Sequence, residues 1–260
     1  MSWQVKRDIR RQFGIMAYVG ANGSGKSLTA VLDTLPSLEE GRKVVSTVRL
    51  LDYENPRPCD DPFCDFPSHP NHGASHPLWI PLRSFSELLE VEHCDVLLDE
   101  VTGVCSSRES LSLPGAVANL LVQLRRRDVV LRWTSPAYMR ADTILRECTQ
   151  AVTLCRGLFP RRVSGRAWAS YRFISSKVVD ARQFDTVSVA GVSMRSGIAR
   201  SCFRLSTCPA INAYDTLDTV LSLPVIESGR CVSCGGRRAV PRCDCDDKTP
   251  LTLVSAKRAS

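Results

Sequence analysis

Two short stretches carry the residue types needed to handle a phosphate ester. The first is GANGSGKS: Gly20, Ala21, Asn22, Gly23, Ser24, Gly25, Lys26 and Ser27. Glycines at this spacing permit backbone angles that turn several N–H groups toward one anion. Lys26 would reach the β and γ phosphates, and the Ser27 hydroxyl would hold Mg²⁺. The second stretch is DVLLDE, Asp95 to Glu100, an apolar run that ends in two carboxylates. Asp99 suits the Mg²⁺ shell through water. Glu100, one residue on, suits polarisation of an attacking water. The chemistry expected of the pair is hydrolysis of ATP.

The elements that must position these residues follow from the apolar pattern. GIMAYV (14–19) reads as a buried strand, and Leu28, Val31, Leu32 and Leu35 fall at helical spacing after the loop. Strand, glycine loop, helix is the context the motif requires. KVVSTV (43–48) reads as a second strand, DVLLDE as a third, DVVLRWTS (128–135) as a fourth and QAVTLC (150–155) as a fifth. Helices are expected at 84–92, 114–127 and 138–148, the first opened by a Ser84/Glu87 capping box. Asn55 to Pro81 holds seven of the fifteen prolines and no periodicity, which marks an insertion loop. Beyond about Arg156 the pattern changes to hairpin or edge strands at 166–179 and 186–194, with a short helix around 214–221 closing the unit.

This alternation predicts an α/β fold of the P-loop NTPase type, in its ATP-hydrolysing (RecA-like) class. Its sheet is mainly parallel with helices on both faces, and its C-terminal additions are antiparallel. The expected domains are an ATPase unit over 1–225 and a small Cys-rich tail over 226–260. In that class a polar residue ending the strand after the acidic pair senses the γ phosphate. Thr134 or Ser135 would take that role, or simply cap the strand. A G-domain's Asn-Lys-x-Asp motif is missing, since NAYD at Asn212 lacks the Lys, and so is a transporter's Ser-Gly-Gly signature. A small nucleotide kinase stays open, because Arg161, Arg162 and Arg166 resemble an arginine-rich lid.

Net charge is +7 over 260 residues, unevenly spread. From Leu121 to Arg172 eleven arginines face three acids, a local +8. Phosphate recognition is one reading of that excess, and a solvated face with arginine-favouring codon usage is the other. No run approaches a membrane span and no signal peptide opens the chain, so a cytoplasmic or virion-associated protein is expected. Its twelve Cys would then be reduced thiols or metal ligands.

Two clusters gather Cys and His. In the proline-rich loop stand Cys59, Cys64, His69, His72 and His76, from which Cys59, Cys64, His72 and His76 make a tetrahedral Zn²⁺ set. A metal would order a loop with few apolar side chains. In the tail, Cys231, Cys234, Cys243 and Cys245 form C-x-x-C followed by C-x-C, a compact zinc-knuckle arrangement interleaved with Arg237, Arg238 and Arg242.

Taken in order, GANGSGKS, DVLLDE, LVQLRRRDVVLRWTSP and TILRECTQAVTLCR resemble the FtsK–HerA superfamily of DNA-pumping ATPases. More narrowly they resemble its phage and plasmid branch of virion genome-packaging ATPases and zonula occludens toxin-like proteins. The likeness spans about Phe13 to Arg156. It implies sequence-independent double-stranded DNA as partner and a homo-oligomeric ring, such as a hexamer, with ATP between subunits. It also implies an arginine finger from the neighbour: Arg127 or Arg126 by position, with Arg108 a second candidate. Capsid or membrane-vertex proteins are further partners under this reading. Two departures stand out. The family's Gln is replaced by Thr134-Ser135-Pro136, and the membrane span usual after the toxin-like ATPases is missing, which favours packaging. The rival expectation is a nucleotide-gated assembly or scaffold factor that moves no DNA.

Overall fold

The computed structural model describes residues 13–52, 54–55, 73–82, 85–101, 119, 121–161, 170–183 and 197–219. The chain divides into two compact units, Met1–Leu223 and Pro224–Ser260. All the described residues belong to the first.

Its centre is an eight-stranded sheet. The strands in chain order are β1 (Ile15–Val19), β2 (Lys43–Ser46), β4 (Trp79–Pro81), β5 (Cys94–Leu98), β6 (Val130–Ser135), β7 (Ala151–Arg161), β8 (Ser170–Asp180) and β9 (Ala199–Arg204). Across the sheet they run β4-β2-β5-β6-β1-β7-β8-β9. The pairs from β4 to β7 are parallel. The last two pairs, β7 with β8 and β8 with β9, are antiparallel. Every residue of β1 and β5 is buried, and apart from Asp95 all are apolar, as burial on both faces demands. One strand, β6, separates the loop strand β1 from the acidic strand β5. The end of β6 therefore lies between the two stretches that carry the chemistry.

Helices cover both faces. Helix α1 (Lys26–Glu39) lays Leu28, Val31, Leu32, Leu35 and Leu38 on the face formed by Met16, Tyr18, Val44 and Leu97. On the other face, α2 (Thr143–Cys148) and short 3₁₀ turns pack Leu145, Leu88, Leu124 and Tyr138 around Trp133. Trp133 is fully buried, stacks on Tyr138 at 5.7 Å and donates its indole N–H to Thr149 at 3.0 Å.

Several expectations need correction. Residues 214–219 are a strand, β10 (Tyr214–Thr219), not a helix. They pair antiparallel with β3 (Val48–Leu50), whose three residues are all buried and whose edge needs a partner. The proposed 84–92 helix is a 3₁₀ turn over Phe85–Glu90. The 138–148 helix is two pieces, because Asp142 caps a fresh start by accepting from the N–H groups of Ile144 (2.8 Å) and Leu145 (3.4 Å). Strand β6 starts at Val130, after Asp128 takes a left-handed φ of 51°. The far end of the insertion loop is not loop: β4 forms the sheet edge, where Pro81 loses no ladder bond.

A layer of charge lies between α1 and the sheet. Arg132 on β6 is fully buried and its Nη1 donates to Asp95 Oδ2 on β5 at 2.7 Å. Asp95 also accepts from Ser37 on α1 and from Arg42 Nε at 3.1 Å. Arg42 continues outward to Asp128 at 2.7 Å. Tyr18 on β1 donates to Asp33 on α1 at 3.0 Å. Burial is the largest single influence and would raise the Asp95 carboxyl, but the Arg132 charge, hydrogen bonds from Ser37 and Arg132 and the Arg42 charge together hold it below the usual carboxylate range.

Asp95→Ala would strand a buried guanidinium and is expected to cost on the order of 3–5 kcal/mol in urea unfolding. A double change to Asp95→Leu with Arg132→Met should recover most of it. Because the folded pKa lies below the unfolded one, the Asp95 contribution is present above an unfolded pKa of about 3.9 and is lost as pH falls through the folded value. Equal losses in the single and double variants would show that the pair contributes stability that apolar side chains do not replace.

Candidate active site

Helix α1 begins at Lys26 with Gly25 as N-cap. No side chain caps it and no acid lies in its first turn. Its first N–H groups and positive dipole end are therefore left for an anion. Two glycines of the loop are dictated by space. A Cβ on Gly20 would stand 2.4 Å from the Cys155 carbonyl oxygen, and one on Gly25, where φ is 86°, would stand 2.8 Å from Ile174 Cδ1. The loop is thus pressed against β7 and β8.

Lys26 is buried, and its ammonium donates to the Ala21 carbonyl at 3.3 Å. Among the described residues no carboxylate pairs with it. Ser24 Oγ, also buried, has no hydrogen-bond partner there. A buried ammonium held by one carbonyl and an unspent hydroxyl, at an uncapped helix start, fit a phosphate chain. Ala21, Asn22 and Gly23 form the exposed crest of the loop.

The acidic pair comes to this loop. Asp99 Oδ1 accepts from Ser27 Oγ at 2.7 Å and from Thr134 Oγ1 at 2.6 Å. Hydroxyl and carboxylate oxygens together make the donor set of a hard cation, so Ser27 and Asp99 fit Mg²⁺. Thr134 Oγ1 in turn accepts the Glu100 N–H at 2.9 Å. Between the two strand-end candidates, this bonding favours Thr134. The Ser135 hydroxyl turns away to the Ala137 carbonyl at 2.7 Å. Glu100 is half-buried and sits at φ 52°, a left-handed conformation that a non-glycine residue keeps only when its surroundings hold it.

One participant had no role in the sequence reading. Thr47, just past β2, accepts the Asp99 N–H at 2.8 Å. The backbone of the acidic pair is thereby pinned from both neighbouring strands. Thr47 was legible only as the end of KVVSTV, since its partner depends on β2 lying beside β5. Cys155 and Ile174, which confine the loop, were missed for the same reason.

Arg127 is not brought to this site. It precedes β6, whereas the loop and acids sit at the strands' C-terminal ends, a strand length of about 20 Å away. Its Nη1 donates to the Leu89 carbonyl at 2.6 Å and lies 4.0 Å from Glu92. Arg126 is exposed beside it. Arg108, Cys59, Cys64, His69, His72, Cys231, Cys234, Cys243 and Cys245 lie outside the described residues. His76 is described: its Nδ1 accepts the Leu78 N–H at 3.1 Å. Among the described residues no group of three or more His, Cys, Asp or Glu side chains could hold a metal, and no helix is long and apolar enough to cross a membrane.

Thr134→Val keeps the shape of the strand end and removes both of its hydrogen bonds. Phosphate release from ATP is expected to fall roughly 10–100-fold, as for loss of a group that orients a metal ligand. ATP affinity, measured by fluorescent-analogue titration, should change little. Unaltered turnover would remove Thr134 from the site.

No family model and no characterised protein sequence matches the chain. Among solved structures it is similar to the N-terminal domain of zonular occludens toxin from Neisseria meningitidis, with 16% identity, 77% of this chain and 97% of that chain covered, and a TM-score of 0.46. It is also similar to the genome packaging NTPase B204 from Sulfolobus turreted icosahedral virus 2 in complex with ATP-gammaS, with 11% identity, 65% and 93% covered, and a TM-score of 0.40. A third similar structure is the flagellar accessory protein FlaH from Methanocaldococcus jannaschii, with 12% identity, 64% and 77% covered, and a TM-score of 0.37.

Proposed function

We propose that the chain is a Mg²⁺-dependent ATP hydrolase that moves double-stranded DNA as a ring of identical subunits, with viral genome packaging the reading its motifs favour. The observation that carries the hydrolase is the convergence of the Ser27 and Thr134 hydroxyls on one carboxylate oxygen of Asp99 at an uncapped helix start.

In this reading the loop N–H groups and Lys26 hold the β and γ phosphates, Lys26 exchanging the Ala21 carbonyl for phosphate oxygen. Ser27 and Asp99 hold Mg²⁺, which neutralises phosphate charge when bound. Glu100 accepts a proton from the attacking water as its oxygen bonds the γ phosphorus. The bond from γ phosphorus to the bridging oxygen breaks, and ADP leaves with that electron pair. Thr134, by holding the Glu100 N–H, keeps the carboxylate aimed. A neighbour's Arg127 would stabilise charge on the transferring group, since its own loop is out of reach. Zn²⁺ is assigned to the loop and tail clusters from sequence spacing. The DNA assignment draws on the ordered motif resemblance and on the excess of arginine.

Glu100→Gln should retain ATP binding and lose turnover by two or more orders of magnitude. Lost binding would make Glu100 structural. Turnover indifferent to duplex DNA at low salt, with no rings formed on adding nucleotide, would defeat the DNA-moving reading while leaving the hydrolase intact. Mixing Arg127→Ala subunits with Lys26→Ala subunits should restore partial activity through one competent interface, whereas no restoration would exclude a finger in trans. Elemental analysis below one Zn²⁺ per chain would remove both zinc assignments.

A further inference from the structure

The antiparallel strands beyond β7 have a face that the ATP site does not use. Residues paired across them share a side of the sheet. Arg156 pairs with Ser175, which pairs with Cys202. Lys177 pairs with Arg200, and Phe173 with Arg204. Alternation then puts Arg156, Lys177, Arg200 and Arg204 on one side, continuing the α2 face of the sheet. Arg156, Arg200, Cys202 and Arg204 are exposed. The sole acid of the three strands, Asp180, falls by the same alternation on the other face, where its carboxylate caps the N–H groups of Arg182 and Gln183. The result is a cationic surface on three strands, about 10 Å across and 13 Å along.

The opposite face of the same strands confines the phosphate loop. Cys155, which crowds Gly20, is the residue before Arg156, and Ile174, which crowds Gly25, is the residue before Ser175. The glycine loop and the cations thus lie back to back on β7 and β8.

We propose that this face, centred on Arg156 and Arg204, holds the sugar–phosphate backbone of double-stranded DNA. The proposal rests on the DNA-moving reading and locates its contact. Charge complementarity selects a polyanion. None of the face's exposed positions Arg156, Arg200, Cys202 and Arg204 is aromatic, and the exposed ring of Phe159 near the strand end is engaged edge-on with Phe173 at 6.0 Å rather than offered as a stacking platform. Side chains standing out from a sheet face meet phosphates without inserting an element into a groove, so binding is expected to be independent of sequence.

The test is anisotropy titration of a duplex of arbitrary sequence, at several salt concentrations, with the full chain. Arg156→Gln and Arg204→Gln should each make the slope of log K against log salt shallower by about 1, and the double variant by about 2. The loss should be equal for unrelated sequences. Thermal melts should match the wild type, as expected for exposed positions. A second readout needs no variant: saturating duplex should slow alkylation of Cys202, followed by peptide mapping, several-fold. If the wild type binds duplex and both the slopes and Cys202 alkylation are unchanged, the face assignment is overturned while the DNA-moving reading stands. If the wild type binds no duplex at low salt, that reading fails first. If the variants instead break the ring in sedimentation with DNA affinity per ring intact, the face is a contact between copies and the proposal is wrong.

Discussion

One carboxylate oxygen organises the site. Asp99 Oδ1 receives hydroxyl hydrogen bonds from the start of α1 and from the end of β6. The phosphate loop, the acidic strand and the strand between them are thereby held in one geometry. A cation entering here would find both oxygens already converged, so little rearrangement is required of the protein when substrate arrives. The same constraint reaches Glu100, because the Thr134 oxygen that donates to Asp99 also accepts the Glu100 N–H. One hydroxyl, that of Thr134, therefore holds both the Asp99 carboxylate and the Glu100 backbone.

Beneath that layer a second one keeps α1 on the sheet. Ser37 and Asp33 of the helix meet Asp95 and Tyr18 of the strands, and Arg132 closes the group from β6. Burying a guanidinium is costly, and its Nε and Nη2 have no hydrogen-bond partner among the described residues. What it obtains is a charged partner, Asp95, whose own carboxyl is held ionised by the same contact. An apolar layer would give comparable stability with less directional restraint on the helix that carries Lys26 and Ser27. Arg132 also changes the meaning of the local charge excess. This arginine belongs to the interior and Arg127 to a backbone contact, so the excess is not one surface.

Much of this was legible in the sequence where the constraint is local. The loop spacing, the acids ending an apolar run and the strand–helix alternation each depend on neighbours within a few residues; β1, β5 and β6 lie where the pattern placed them to within two residues, and α1 starts where it was expected and runs four residues further, to Glu39. Legibility failed where the deciding partner is distant. YDTLDT was read as helical because nothing nearby reveals the buried edge of β3, some 160 residues upstream. The role of Thr47 depends on β2 lying beside β5, and those of Cys155 and Ile174 on the loop folding against β7 and β8. The basic face escaped notice too, because its cations come from three strands and gather only through their register.

The most direct test is a structure of the chain with Mg²⁺ and a non-hydrolysable ATP analogue. The account requires the triphosphate to lie along Gly20 to Ser27, with Lys26 Nζ released from the Ala21 carbonyl onto phosphate oxygen and the metal held by Ser27 and the Asp99 shell. A nucleotide bound elsewhere, or Lys26 still on Ala21 with phosphate in the loop, would contradict it.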